Sequence, residues 1–188
     1  MKPEIEKYKN MGLELALLHR QPLPGDMRGW TLLDGLHLLE AGRKAGMALF
    51  EDIQTALKKT DGIVKQIAAA VPNPYVALRG GTGHSGLLYG NPSWDLGLAV
   101  NTLGRGGAEP FLKGYLRGRG VQVTIIELFA GILYAKLNMA IATRDEAEWQ
   151  RLAQNECSRI ASGGSLSFDE LSAGAIARLG LPGLRRVG

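Results

Sequence analysis

Residues 121–142 read VQVTIIELFAGILYAKLNMAIA, and this stretch decides the fold class. Its apolar residues cover most of the circumference of a helix instead of one face, which is typical of a helix buried inside a protein. The stretch is long enough to be considered as a membrane span, but it contains Glu127 and Lys136. Because a charge at the centre of a bilayer costs on the order of 2.5–3.5 kcal/mol, we interpret the stretch as a central core helix.

The remainder of the chain shows helical patterns on both sides of this core helix. Apolar residues recur at three- and four-residue spacing, and several segments begin with residues that favour helix N-termini. Thr60-Asp61, Asn91-Pro92 and Thr143 are interpreted as helix starts of this kind. The predicted helices besides the core helix span residues 8–18, about 31–59, 60–67, 91–104, 111–116 and 143–152, with a last one from Ser167.

An irregular segment at 71–92 interrupts this series. It contains three prolines and five glycines, which break regular elements. No alternation of apolar and polar residues longer than about four positions occurs, so no strand is predicted. We therefore predict an all-α fold, a helical bundle forming a single domain over residues 1–188.

Composition places the chain among ordinary globular proteins. Hydrophobic residues make up 45% of the 188 residues, and the net charge of +4 favours anionic partners only slightly. The short basic tail at 178–186 does not argue for nucleic-acid binding. Cys157 is the single cysteine, which excludes an internal disulfide, and no signal peptide is visible. These features lead us to expect a cytoplasmic protein that neither enters membranes nor binds nucleic acid.

The chain offers few groups for catalysis or for holding a cofactor. Its three histidines lack metal-ligand spacing, and Gly80–Gly83 lacks the lysine of a phosphate-binding loop, so we expect no metal and no cofactor. Arg105, Lys113 and Arg117 form a small basic cluster around one helix. This cluster is either a binding surface for an anionic ligand or partner, or simply a solvated helix face.

Two segments carry a resemblance to a known family. Residues 11–25 read MGLELALLHRQPLPG, and residues 89–99 read YGNPSWDLGLA. The first resembles the helix that opens the C-terminal helical lobe of the aminoglycoside phosphotransferase and choline kinase-like family, and the second resembles its Gly-Asp-Pro-x-x-Asp-Leu-Ala segment. The resemblance covers about residues 8–155 and leaves 156–188 as a C-terminal helical extension. It implies structural roles for the family-motif residues His19, Asn91, Trp94 and Asp95.

The parts of the family that perform phosphoryl transfer have no counterpart here. The family's catalytic loop reads His-Gly-Asp, followed four residues later by Asn. Aligned without gaps, Arg79 stands for the histidine, Gly81 for the catalytic aspartate and Gly86 for the metal-binding asparagine. With one gap, residues 84–89 resemble the second half of the loop, but neither alignment restores the base. The metal-binding segment of about fifteen residues and the nucleotide-binding lobe are also missing, so the resemblance implies a pseudokinase-like protein that does not transfer phosphate.

These considerations lead to two expectations of function. The first is a non-catalytic interaction protein, an accessory or regulatory subunit, because loss of the catalytic parts exposes apolar surface that a protein partner or self-association would cover. The second is a small-molecule binding protein for an amino alcohol or aminoglycoside-like ligand, or a residual phosphotransferase, with Arg79, His84 and Ser85 supplying polar groups. A decayed remnant without a selected function is a third reading that the sequence leaves open.

Overall fold

The computed structural model describes residues 2–79, 87–118 and 123–166 of the chain. Most of these residues are helical, in α1 (Lys2–His19), α2 (Gly35–Lys44), α3 (Glu51–Ala68), α4 (Ser93–Arg117), α5 (Ile125–Thr143), α6 (Glu146–Leu152) and α7 (Ser158–Ala161). A π-helical segment, Ala153–Cys157, joins α6 to α7. Three short strands complete the fold: β1 (Trp30–Leu33), β2 (Val76–Ala77) and β3 (Leu87–Gly90).

Helix α5 is the central helix of the core, as its sequence predicts. Most of its residues are buried, Leu128, Leu133 and Leu137 completely. A capping box starts it: the Thr124 hydroxyl accepts the Glu127 N–H, and the Glu127 carboxylate accepts the Thr124 N–H at 2.7 Å. Within the part of the chain that the structure describes, α5 is the one helix with the length and apolar composition of a membrane span, and 67% of that window is buried inside the fold.

Glycines allow α4 to approach its two neighbouring helices very closely. Gly97 of α4 faces Gly131 of α5, and a Cβ atom built at Gly131 would overlap the carbonyl oxygen of Ser93. On another side of α4, a Cβ atom at Gly12 of α1 or at Gly114 of α4 would overlap backbone of the opposite helix. Helices α1, α4 and α5 therefore pack backbone against backbone, and this contact sets the positions of the side chains between them.

The helices predicted over 91–104 and 111–116 both belong to α4, which is interrupted at Gly104. Gly104 has φ 60° and ψ −168°, a backbone conformation outside the helical region, and it separates two helical segments. At the start of α4, Pro92 occupies the N-cap position and the helix begins at Ser93, one residue later than predicted. Asn91 still acts as a cap, because its side-chain oxygen accepts the Ser93 N–H at 2.9 Å.

The prediction of an all-α fold is wrong in one respect, because the mainly helical chain contains a three-stranded sheet. The strand order is β1-β3-β2, with β1 parallel to β3 and β2 antiparallel to it. The segments 30–33 and 71–92, predicted as helix and irregular loop, supply these strands. Strands of two to four residues are too short to show an alternating pattern, and their pairing joins segments far apart in the chain.

Three predicted helix boundaries are also wrong. The region 31–59 is divided into β1, α2 and the first half of α3, with Asp34 as the N-cap of α2. Thr60 and Asp61 lie inside α3 instead of starting a helix, because the side chain of Asp61 bonds to other elements of the fold. Thr143 ends α5, and Asp145 is the N-cap that starts α6. The helix predicted from Ser167 lies outside the described residues.

Candidate functional site

A buried hydrogen-bonded network joins the two segments that resemble the phosphotransferase family. His19, the last residue of α1, places its Nε2 atom 3.2 Å from Oδ2 of Asp95 in α4. The same Oδ2 atom accepts the backbone N–H of Arg79 at 2.8 Å. The other ring nitrogen of His19, Nδ1, lies 2.9 Å from the hydroxyl oxygen of Tyr115. His19, Asp95 and Tyr115 are all buried, so the network is shielded from water.

Both ring nitrogens of His19 have a polar partner. Nε2 faces the Asp95 carboxylate and Nδ1 faces the Tyr115 hydroxyl, and the tautomer of the ring sets which of these groups donates. Both contacts that Asp95 makes with the ring of His19 and the N–H of Arg79 are at Oδ2. Among the described residues, none donates a hydrogen bond to the second oxygen, Oδ1.

A cavity of about 260 Å³ lies between α1 and α4 beside this network. Its walls are mostly apolar and come from Met11, Leu15, Leu98, Ala99, Leu103 and Phe111. Asp95, Arg79 and Thr102 are its only polar lining residues within the described part of the chain. The guanidinium of Arg79 is exposed and lies 3.9 Å from the carboxylate of Glu14, an arrangement typical of a weak surface ion pair.

A second buried network holds the start of α4 against α5. The Asn91 amide donates to Oε1 of Glu127 at 2.8 Å, while Oε2 of Glu127 accepts the Thr124 N–H. The ring of Trp94 stacks on Tyr134 of α5, with 4.6 Å between ring centroids. Asn91 and Trp94, which the family resemblance marks as structural, thus both contact α5.

Tyr134, which stacks on Trp94, also forms a hydrogen bond with Asp61 in α3. The Tyr134 hydroxyl donates to Asp61 at 2.7 Å, and both carboxylate oxygens lie 3.0 Å from the backbone N of Gly35 at the start of α2. Partial burial raises the pKa of Asp61, and the hydrogen bonds from Tyr134 and Gly35 offset only part of this effect. Burial and the adjacent Asp61 carboxylate also raise the pKa of Tyr134 well above its usual value.

Asp61 should make the stability of the fold depend on pH. Its pKa in the folded state lies above its ordinary value of 3.8, so the folded protein binds this proton more readily than the unfolded chain does. The stabilisation is therefore present below the unfolded pKa and is lost as the pH rises through the folded pKa. We expect the free energy of unfolding of the wild type, relative to that of Asp61→Asn, to increase as the pH falls from neutrality towards 3.8.

Urea unfolding of both proteins across this pH range measures the effect. Tyr134→Phe is a matched variant, because it removes a hydrogen bond that lowers the pKa of Asp61. Tyr134→Phe should therefore move the change in the free energy of unfolding to higher pH. Parallel pH curves for the wild type and Asp61→Asn would show that Asp61 has the same pKa in the folded and unfolded states.

Two of the other predicted site residues, Lys113 and Arg117, do not line the cavity beside Asp95. Both are exposed on α4, and Lys113 pairs with Glu109 at 2.6 Å. Arg105 also lies in α4, while His84 and Ser85 lie outside the described residues. A binding surface and a solvated helix face both stay open as interpretations of Lys113 and Arg117.

Sequence reasoning missed three of the residues that build the two networks. Tyr115 was assigned only to an apolar helix face, Asp61 to a helix start, and Tyr134 to the apolar core helix. A polar hydroxyl within an apolar helix, such as that of Tyr134 in α5, indicates a buried hydrogen-bond partner. The identity of the partner depends on tertiary packing, since Asp61 is 73 residues away in sequence.

Cys157 is a buried core residue. It is fully inaccessible in the π-helical segment, and burial raises the pKa of its thiol to about 12. Because the thiolate is the reactive form, this cysteine is poorly suited to act as a nucleophile.

An open groove lies on another face of the molecule, between α2 and the start of α3. It has a volume of about 560 Å³, and Trp149 and Ile53 are among its lining residues. Leu36 and Leu49, which are 58% and 67% exposed, also line it, and Leu49 is the most exposed of the large apolar side chains in the described part of the chain. Glu40, Arg43 and Glu51 contribute charges of both signs along the groove.

Comparison with known proteins identifies no relative: no protein-family model matches the chain, and neither the curated proteins nor the solved structures give a match. Function therefore has to be inferred from the geometry of the cavity and of the groove. The cavity offers a buried carboxylate within apolar walls, and the groove offers an exposed apolar surface with charged residues beside it.

Proposed function

We propose that this chain is a non-catalytic interaction protein, an accessory or regulatory subunit built on a degenerate phosphotransferase C-terminal lobe. The observation that carries the proposal is the groove between α2 and α3, where Leu36 and Leu49 are more than half exposed. Large apolar side chains gathered at one concave surface are typical of a contact site. Association would remove them from water, which stabilises a complex by about 25 cal/mol for each Å² of apolar surface buried.

The resemblance to the phosphotransferase lobe has support from the buried network around Asp95. His19 belongs to the first resembling segment and Asp95 to the second, and the two residues bond directly although 76 positions separate them. Arg79 stands for the histidine of the family's catalytic loop, and its backbone N–H donates to the same carboxylate. These contacts use the motif residues to hold segments of the chain together.

Asn91 shows how this chain departs from the family pattern. It stands at the aspartate position of the Gly-Asp-Pro segment, and its amide donates to the Glu127 carboxylate at 2.8 Å. An ionised aspartate at position 91 has no hydrogen to donate, and its charge would repel that of Glu127. The neutral amide therefore suits a structural role at the junction of α4 and α5.

The groove is best suited to a second copy of the same chain. Arg43 lies beside Glu40 and Glu51, so the charged residues of one groove can pair with those of an identical groove across a twofold axis. Such an isologous contact is the commonest arrangement in homo-oligomers. The apolar floor would then form the centre of the interface and the charged residues its edge.

Replacing the two exposed leucines tests this proposal. We expect the wild type to be a dimer by light scattering coupled to size-exclusion chromatography, and the double variant Leu36→Glu/Leu49→Glu to be a folded monomer. Four carboxylates placed in the centre of the interface lose their hydration there and repel one another. Circular dichroism of the variant checks that the fold is intact.

Leu17→Glu is the matched control, because Leu17 is 51% exposed on α1 and does not line the groove. It should leave the dimer unchanged. A wild type that stays monomeric at every concentration tested contradicts self-association through the groove. Dissociation by Leu17→Glu as well as by the double variant would assign the effect to general surface charge.

The alternative function is small-molecule binding or residual phosphotransferase activity, and the cavity beside Asp95 is the observation that favours binding. Thermal-shift measurements with a nucleotide and magnesium separate a non-catalytic protein from a residual phosphotransferase. We expect no increase in the melting temperature with nucleotide and magnesium together. A clear increase would contradict the non-catalytic part of the proposal.

A further inference from the structure

We propose that the cavity between α1 and α4 binds a small apolar molecule that carries one protonated amine, and that its ammonium group contacts Asp95. This inference goes beyond the interaction function, because the cavity and the groove are formed by different residues. The argument has three physical parts: the apolar walls, the available oxygen of Asp95, and the size of the cavity.

The walls select an apolar ligand body. Six of the nine described residues that line the cavity have apolar side chains, from Met11 and Leu15 on α1 to Leu98, Ala99, Leu103 and Phe111 on α4. Thr102 is the one uncharged polar residue among them. Transfer of an alkyl or aromatic group from water into these surroundings is favourable by about 0.8 kcal/mol for each buried methylene.

Asp95 selects a cationic donor. Its side chain is 5% exposed, and both hydrogen bonds that it accepts from described residues are made at Oδ2. The neighbouring His19 contacts this carboxylate at Oδ2 and leaves Oδ1 to other donors among the described residues. A carboxylate within apolar walls attracts an opposite charge more strongly than a carboxylate in water does. An ammonium hydrogen directed at Oδ1 would add a charge-assisted hydrogen bond at the oxygen to which no described residue donates.

The size and surroundings of the cavity limit the ligand further. A volume of about 260 Å³ is just below the range of about 300–1,000 Å³ for pockets that hold drug-sized molecules, so a single ring with a short amine fits. A ligand with several amines would place unpaired charges against Leu98 and Phe111, which is costly. The exposed Arg79 guanidinium lies beside Glu14, which reduces its repulsion of an incoming cation.

Titration of the full chain with benzylamine, benzyl alcohol and toluene, followed by NMR, tests the proposal. We expect benzylamine to bind and to shift resonances of α1 and α4 around the cavity. The neutral analogues should bind at least about tenfold more weakly, since they cannot form the charge-assisted hydrogen bond. Equal affinity for toluene and benzylamine would overturn the role assigned to Asp95, and shifts confined to other surfaces would overturn the site.

Two variants locate the site independently of each other. Ala99→Leu adds bulk at the cavity wall without touching the hydrogen bonds of Asp95, and we expect it to weaken benzylamine binding at least about tenfold. The matched control is Ala142→Leu at an exposed position of α5, which should bind like the wild type. Asp95→Asn keeps an acceptor for the Arg79 N–H but removes the charge, so benzylamine should lose its advantage over benzyl alcohol.

Every outcome bears on the proposal. Unchanged benzylamine affinity in Ala99→Leu, or in a folded Asp95→Asn, overturns it. If Asp95→Asn does not fold, the benzylamine affinities of Ala99→Leu and Ala142→Leu decide whether the ligand binds in the cavity. Because none of these positions lines the groove between α2 and α3, failure here leaves the proposed self-association untouched.

Discussion

Gly131→Ala is expected to destabilise the protein severely, which is the largest effect predicted for it. A Cβ atom at position 131 would overlap the carbonyl oxygen of Ser93 and also lie against its side chain. Both obstructing groups belong to Ser93 at the start of α4, so α4 and α5 would have to move apart there. Overpacking of a core usually costs about 1–3 kcal/mol, and more where the obstruction is backbone that cannot change rotamer. We expect a loss of at least about 3 kcal/mol in the free energy of unfolding.

The control for this prediction is Gly62→Ala. Gly62 is an exposed position within α3, and a Cβ atom there meets nothing within 4 Å. Alanine stabilises a helix relative to glycine, so this variant should gain about 0.5–1 kcal/mol. Urea unfolding followed by tryptophan fluorescence measures both changes. Similar stability of Gly131→Ala and the wild type would mean that the two helices do not cross as closely as described.

Asp95→Ala is expected to destabilise the protein by about 2–4 kcal/mol, because it leaves the buried His19 ring and the partly buried Arg79 N–H without their acceptor. The Arg79 N–H and the His19 Nε2–H both bond to Oδ2 of Asp95, and His19 is almost completely buried. The variant should also loosen the link between the end of α1 and the segment after β2. Urea unfolding measures the loss, and hydrogen exchange of the Arg79 amide reports the local change.

The matched control is Asp26→Ala, which removes an exposed carboxylate that pairs with Arg28. Surface pairs of this kind contribute roughly 0–1 kcal/mol, so this variant should have nearly wild-type stability. If Asp95→Ala were as stable as Asp26→Ala, the buried network would not hold the two segments together. The proposal that the chain is built on a degenerate phosphotransferase C-terminal lobe would then lose its main support.

Helices whose signals are local could be predicted from the sequence. The apolar run 125–139 predicted the central helix, and glycine 104 predicted the break in α4, because helix periodicity and glycine conformation act within a few residues. The sequence 21–25, with two prolines and one glycine, likewise accounts for the end of α1 at His19. These features depend on neighbours along the chain and need no knowledge of the packing.

Elements stabilised by distant partners could not be predicted. Strand β1 is four residues long and pairs with β3 more than fifty positions later, so no alternating pattern marks it. Asp61 was interpreted as a helix start because aspartate favours that position, whereas its side chain bonds to Tyr134 and to the Gly35 backbone. In both cases a tertiary contact outweighs the local preference.

The candidate sites likewise combine residues that the sequence marked with contacts that only the tertiary structure shows. Through a family resemblance, the sequence marked His19, Arg79 and Asp95 as members of separate motifs. Only the packing of α1 on α4, with backbone in contact at Gly12 and Gly114, brings these residues into one hydrogen-bonded network and makes Tyr115 a partner of His19. By itself the sequence determined that the chain is mainly helical around one apolar helix, since periodicity is a local property. Which polar groups meet, and which apolar side chains remain exposed, was decided by the tertiary structure, because both depend on how closely distant helices can approach.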